Sequence, residues 1–186
     1  MKVIGITGSI ASGKTTVAHL MAGKKYPLFS ADKIVGNLYK KRTFIKILVK
    51  KFKLKRNEKI KEQIKLILDK NKKNILKLEA IIHPLVRKEM KFFLKKKNKY
   101  LFLEIPLLIE SKLKKYFDIL IFVDAKKKIR LQRYLKKKGN KKTFYLLDKR
   151  QLSPVVKKKL CDYTFDNNYS LLVTKKFTKK FMKNLN

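Results

Sequence analysis

Between an apolar pentapeptide and a helix-forming stretch, the chain carries Gly8-Ser9-Ile10-Ala11-Ser12-Gly13-Lys14-Thr15, which has the spacing GxxxxGK[ST]. Few local patterns restrict a fold as much. Val3-Ile4-Gly5-Ile6-Thr7 reads as a short buried strand, and Thr16–Met21 continues a helix that starts near Lys14, so the motif stands in strand–loop–helix context. Glycines let the backbone turn tightly, so that successive N–H groups converge on phosphate oxygens. The helix start presents its positive end to the same anion. Lys14 then reaches the β- and γ-phosphates of a nucleotide, and the Thr15 hydroxyl completes the coordination of a Mg²⁺ ion.

At 186 residues and 45% hydrophobic content, the chain is long enough for one domain with a real core. It has no apolar run of the roughly 18 residues a membrane span needs. Cys161 is the only cysteine, so no internal disulfide can form, and a reducing cytoplasm is the expected location. Cys161 itself reads as a small buried hydrophobe. The formal charge of +38 is the compositional extreme. Such a balance suits a nucleic-acid surface. Yet only six of the 51 basic residues are arginine, and the lysines are scattered over nearly every segment. Base reading and bidentate phosphate contacts favour arginine. Drift toward A/T-rich codons explains the profile better than a selected polyanion surface. No specific nucleic acid is expected, although nonspecific polyanions will be attracted.

Along the chain, strands and helices alternate. A short strand near Leu28-Phe29 precedes a stretch from about 43 to 98 with apolar residues at helical spacing, such as Phe44, Ile47, Leu48 and Ile64, Ile67, Leu68. That stretch is too long for one crossover and reads as a helical insertion. Tyr100–Leu103 and Asp118–Val123 are apolar strands ending at Glu104 and Asp124. A helix to about Lys138, a break at Gly139-Asn140, a further helix, a strand near Tyr163–Phe165 and a C-terminal helix follow. Near-continuous apolar strands alternating with helices predict a parallel sheet covered on both faces. Its site lies beyond the carboxyl ends of the strands, where the phosphate loop, Glu104 and Asp124 fall.

Several residues near that edge have two readings each. Asp32 follows the second strand, so it either accepts the proton of a hydroxyl attacking the γ-phosphate or caps the helix beginning near Lys33. Glu104 either stands near the metal or pairs with a lysine. His83-Pro84-Leu85-Val86-Arg87 reads as a helix opening with Pro84 at its first position; Arg87 is suited to clamp a substrate phosphate. Arg130 and Arg133 lead into a Lys-rich turn, Lys136–Lys142, which is either a solvated charge run or a cationic lid over the transferring group, spanning about 134–150. The GTPase signatures NKxD and DxxG are absent, which favours a small-molecule kinase.

The residues then resemble the dephospho-CoA kinase family. The matching pieces are Ile6–Ala18, Ser30-Ala31-Asp32, His83-Pro84-Leu85-Val86-Arg87, Pro106-Leu107-Leu108-Ile109-Glu110 and Arg133, with Gln151, Lys157, Asp162 and Asp166-Asn167 completing the set. They run in family order over nearly the whole chain. The resemblance implies an α/β P-loop kinase fold in one domain, with the helical insertion binding substrate and a lid. It implies transfer of the ATP γ-phosphoryl group to the ribose 3′-hydroxyl of dephospho-CoA, with ATP as co-substrate and Mg²⁺ as cofactor, in a monomer or small homo-oligomer. It assigns Asp32, Lys14 and Arg133 to catalysis, Gly8 and Ala11, Ser12, Gly13, Lys14, Thr15 and Thr16 to ATP, Thr15 to the metal, and Thr7, Asp32, His83, Arg87 and Glu104 to substrate. Departures from the family pattern are Ser30 for an acid, Ser9 and Ala11 for glycines, Glu104 for an aspartate, and lysines for arginines in the lid. A different P-loop kinase of nucleosides or nucleotides, or a basic nucleic-acid-binding protein with a vestigial ATP site, are the alternatives.

Overall fold

The computed structural model describes residues 1–55, 59–71 and 73–185; positions 56–58 and 72 of the expected helical stretch lie outside the described residues. The chain divides into two compact units, one of residues 1–30 with 96–186 and one of residues 31–95.

The first unit is built on a five-stranded parallel sheet of β1 (Lys2–Gly8), β2 (Leu28–Ser30), β3 (Tyr100–Glu104), β4 (Ile119–Asp124) and β5 (Tyr163–Asp166), in the order β2-β3-β1-β4-β5. All five residues of β3 are buried, as are residues 3–8 of β1. This is why these strands read as unbroken apolar runs rather than alternating ones. Helix α1 (Lys14–Ala22) lays Val17, Ala18 and Met21 against Ile4, Ile6 and Phe102, and the end of the C-terminal helix adds Leu185 to the same core. The Tyr100 hydroxyl donates to the Leu185 carbonyl at 2.9 Å, pinning the chain's end to the sheet.

At the amino edge, two aspartates fix the strand starts. Asp118 Oδ2 accepts from the Val3 amide at 2.6 Å, and Asp162 Oδ2 accepts from the Leu120 amide at 2.7 Å. Asp118 therefore precedes β4 instead of opening it. The opposite edge carries the functional loops. Three more helices of this unit, α6 (Lys127–Lys136), α7 (Lys141–Lys149) and α8 (Pro154–Leu160), lie between β4 and β5, and α9 (Leu171–Asn184) ends the chain.

The second unit is helical: α2 (Ala31–Leu38), α3 (Arg42–Phe52), α4 (Ile60–Lys70) and α5 (Lys73–Phe93). Its core gathers Leu38, Phe44, Leu48, Leu54, Ile60, Ile64 and Leu78. The unit begins at Ala31, ahead of the stretch that periodicity singles out, because α2 packs on α5.

No helix opens at His83-Pro84, contrary to the expectation from Pro84. Helix α5 runs without a break from Lys73 to Phe93, with Pro84 inside it. Pro84 removes the bond to the Ala80 carbonyl, at a cost of about 3 kcal/mol. Against that, Leu78 is buried and Ile81, Ile82 and Leu85 pack on the same core. Full burial of an aliphatic side chain contributes roughly 1.5–3 kcal/mol, so buried Leu78 together with the three partly buried side chains offsets the proline. Pro84 is exposed, which leaves room for its ring.

Candidate active site

The phosphate loop connects β1 to α1 through two left-handed residues, Ala11 (φ 58°) and Gly13 (φ 88°). Gly13 is the N-cap of α1 and has no side chain to satisfy the helix's first amides, so they remain oriented toward the loop. Its conformation requires glycine twice over: a Cβ would also run into the Asn167 side-chain amide. Gly13→Ala is expected to destabilise the protein by about 1–3 kcal/mol, read by urea unfolding. Ala11 has a Cβ in the same region, a local penalty of roughly 1–2 kcal/mol.

Side chains from distant parts of the sheet unit grip the loop backbone. The Ile10 amide donates to Gln151 Oε1 at 2.9 Å, and the Ile10 carbonyl accepts from Arg130 Nη1 at 3.3 Å. Arg130 is 3% exposed; its Nε donates to the Ala125 carbonyl and its Nη1 pairs with Asp148 Oδ1 at 2.6 Å. Burial by itself would raise the Asp148 carboxyl, but hydrogen bonds from Arg130 and Lys127 outweigh it and hold Asp148 below its usual value. Two residues on, the Ser12 carbonyl accepts from Arg133 Nη1 at 3.2 Å and from Asn167 Nδ2 at 2.8 Å. Thr174 Oγ1 donates to Asn167 Oδ1, which orients the amide. Arg130 is thus a buried strut of the loop, whereas partly buried Arg133 stands beside Ser12 and Gly13. Desolvation lowers the Arg133 guanidinium from its ordinary value, and a guanidinium stays charged regardless.

Lys14 is buried at the first position of α1. Thr15 Oγ1 lies 3.2 Å from Glu104 Oε1, and Ser30 Oγ donates to Glu104 Oε2 at 2.7 Å. Glu104 is fully buried at the end of β3, so two hydroxyls, not a solvated surface, receive its oxygens. A hydroxyl beside a carboxylate is a hard-oxygen pair of the kind Mg²⁺ accepts alongside waters and nucleotide phosphates. The donor set fits the ion. The Ser12 hydroxyl, buried with no hydrogen-bond partner, adds an uncommitted polar group in the same loop. Among the described residues, no cluster of three or more His, Cys, Asp or Glu side chains forms a separate metal cage.

Thr7 is fully buried in β1, and its hydroxyl donates to the Pro106 carbonyl at 3.0 Å. The same carbonyl accepts from Lys157 Nζ at 3.3 Å, and Lys157, itself fully buried, pairs with Glu110 at 2.9 Å. These contacts fix the turn that follows Glu104. Gly8 closes β1, and Thr16 is exposed in the first turn of α1.

The sheet unit therefore brings together Thr7, Gly8, Ala11–Thr16, Glu104 and Arg133. Asp32, His83 and Arg87 belong to the helical unit. Asp32 lies within the first turn of α2, which already begins at Ala31, so it is a helical residue with an exposed carboxylate, not the cap. His83 and Arg87 sit one turn apart on the same side of α5, with Arg87 exposed.

Gln151 and Asn167 hold the loop although sequence reasoning gave neither a role there. Their only sequence signal is membership of the family pattern, since their partners lie 141 and 155 residues away. Cys161, half-buried, is shifted by burial and the neighbouring Asp162 up to about 11. Its thiol stays protonated at neutral pH. Its modification by a disulfide reagent is expected to be slow at pH 7–9 and to accelerate only as pH approaches the thiol's own value, which stopped-flow absorbance would record.

The family model for dephospho-CoA kinase matches residues 2–172. The chain belongs to the dephospho-CoA kinase family. The dephospho-CoA kinase of Bartonella henselae is 35% identical over 178 residues, covering 92% of this chain and 91% of that protein. That of Fusobacterium nucleatum is 34% identical, with 91% of each covered. The solved dephospho-CoA kinase of Campylobacter jejuni superposes with a TM-score of 0.68 at 26% identity, covering 98% of this chain and 96% of that one. A shikimate kinase from Acinetobacter baumannii shares the fold at a TM-score of 0.62 and 14% identity. Dephospho-CoA kinase membership and the loop geometry agree: this is a P-loop kinase, an ATP-dependent phosphotransferase.

Proposed function

We propose that this chain transfers the γ-phosphoryl group of ATP to the ribose 3′-hydroxyl of dephospho-CoA, giving coenzyme A and ADP. The observation that carries the reading is the folded GxxxxGK[ST] loop with its Thr15 hydroxyl 3.2 Å from Glu104, in a chain of this family. The amides of Ala11–Thr16 bind the phosphate oxygens, and Lys14 adds a point charge at the β- and γ-phosphates. Thr15, with Glu104 beside it, would hold Mg²⁺, which would supply charge neutralisation to the nucleotide phosphates.

In the transfer, the acceptor oxygen forms a bond to the γ-phosphorus while the bridge to the β-phosphate breaks, and the hydroxyl proton passes to Asp32. Support for Asp32 as that base is its place in the chain, two residues beyond the last residue of β2, and its exposed carboxylate. Arg133 neutralises charge developing on the transferred group from beside Ser12. The exposed lysines 136–138 and 141–142, around the turn where Asn140 caps α7, act as a lid within residues 134–150. Thr7 serves the acceptor side through Pro106, and Arg87 with His83 supplies a cationic face for the acceptor's phosphates. Residues 31–95 form the acceptor-binding part of one functional domain.

The substrates are soluble metabolites, and a half-buried free thiol at Cys161 suits a reducing cytoplasm. No nucleic-acid partner is needed, and the enzyme acts as a monomer or small homo-oligomer. Incubation with ATP, Mg²⁺ and dephospho-CoA is expected to yield coenzyme A by mass spectrometry. Phosphorylation of a nucleoside monophosphate but not of dephospho-CoA would replace this reading with a nucleotide kinase.

A further inference from the structure

Ala11 occupies the left-handed region in the middle of the phosphate loop, where a Cβ is unfavourable and relaxation to an ordinary conformation would turn the following amides away. Its two neighbours are both held from outside. Ile10 is fixed at its amide by Gln151 and at its carbonyl by Arg130, which Asp148 holds in place. Ser12 is fixed at its carbonyl by Arg133 and Asn167. Gln151 stands just beyond α7, where the Leu152 amide donates to Glu110 Oε1 at 3.0 Å, so the residue is anchored on its own side as well.

We propose that Gln151 is a positioning residue for nucleotide binding: its bond to the Ile10 amide, opposed by Arg130 on the carbonyl, holds Ala11 in the left-handed shape that the phosphate-binding amides require. The inference rests on the phosphate-binding reading of this loop. Ile10 precedes the amides that face phosphate, so the contact does not compete with the ligand. A loop with glycine at position 11 would reach the same shape without help. The function of Gln151 is therefore tied to the presence of a side chain at position 11.

A four-protein cycle tests this: wild type, Gln151→Met, Ala11→Gly and the double variant, each titrated with MgATP by calorimetry. Methionine keeps the length of Gln151 and removes the acceptor. Alone it is expected to weaken MgATP binding about tenfold, which is about 1.4 kcal/mol. In the Ala11→Gly background the same change should cost no more than about threefold. Equal losses in both backgrounds overturn the proposal and leave Gln151 a general packing residue. Thermal unfolding run alongside separates a loss of fold from a loss of loop shape. Should Gln151→Met fail to fold, Gln151→Glu retains an acceptor and is expected to keep MgATP affinity within the same threefold of its Ala11→Gly counterpart; a tenfold gap between those two also overturns the proposal. Failure of the wild type itself to bind MgATP overturns the phosphate-binding reading and this inference with it.

Discussion

Replacing Lys14 with methionine is expected to lower kcat/KM for ATP by about 10²–10³-fold, measured by coupled release of ADP. The side chain is buried at the start of α1, where its ammonium adds to the positive end of the helix. Methionine keeps most of the stem's volume and polarizable contact, so the fold should survive while the charge is lost. The nucleotide's outer phosphates lose their one compact cation in the loop. Because that charge grows in importance as the bridge to the leaving group breaks, kcat should fall along with affinity. A turnover number equal to wild type would remove Lys14 from the reaction.

Asp32→Asn gives the contrasting pattern. It is isosteric and exposed, so stability should hardly move. Turnover with dephospho-CoA is expected to fall by about 10²–10⁴-fold, the range associated with loss of a general base. MgATP affinity should stay within about threefold, since Asp32 is assigned to the acceptor's proton and not to the nucleotide. Equal loss of affinity and turnover would instead mean that Asp32 organises nucleotide binding. Unaffected turnover would remove it as the base. The two variants together separate the phosphate cradle from the proton acceptor.

The strands of the sheet unit were legible because burial on both sides leaves a period-free apolar signature, as in Tyr100–Glu104 and Ile119–Val123. The loop was legible because its chemistry is local: eight consecutive residues carry turn, charge and hydroxyl. What escaped was decided elsewhere in the molecule. Pro84 carries a strong local signal for a helix start, and only the packing of Leu78, Ile81, Ile82 and Leu85 on a common core overrides it. Asp32 looks like a cap along the chain, and only the start of α2 at Ala31, set by packing, puts it inside the first turn instead. Arg130 and Arg133 look alike along the chain, three residues apart on one helix; burial against Asp148 and Ala125 makes the first a strut. Glu104 could have faced any of many lysines, and it is Ser30 and Thr15 that meet it, each from a different strand end or helix start. The grips of Gln151 and Asn167 on the loop leave no periodic trace at all.

The Ser12 carbonyl is held by Asn167, on the segment that follows the last strand laid onto the sheet. During synthesis, a chain still lacking that segment has the phosphate motif and the residues that hold Ile10, but only one of the two groups that hold the Ser12 carbonyl. ATP should therefore protect a nascent chain stalled before residue 167 less than it protects the full chain. The full set of holds on the loop waits for a residue made 155 positions after the one it grips.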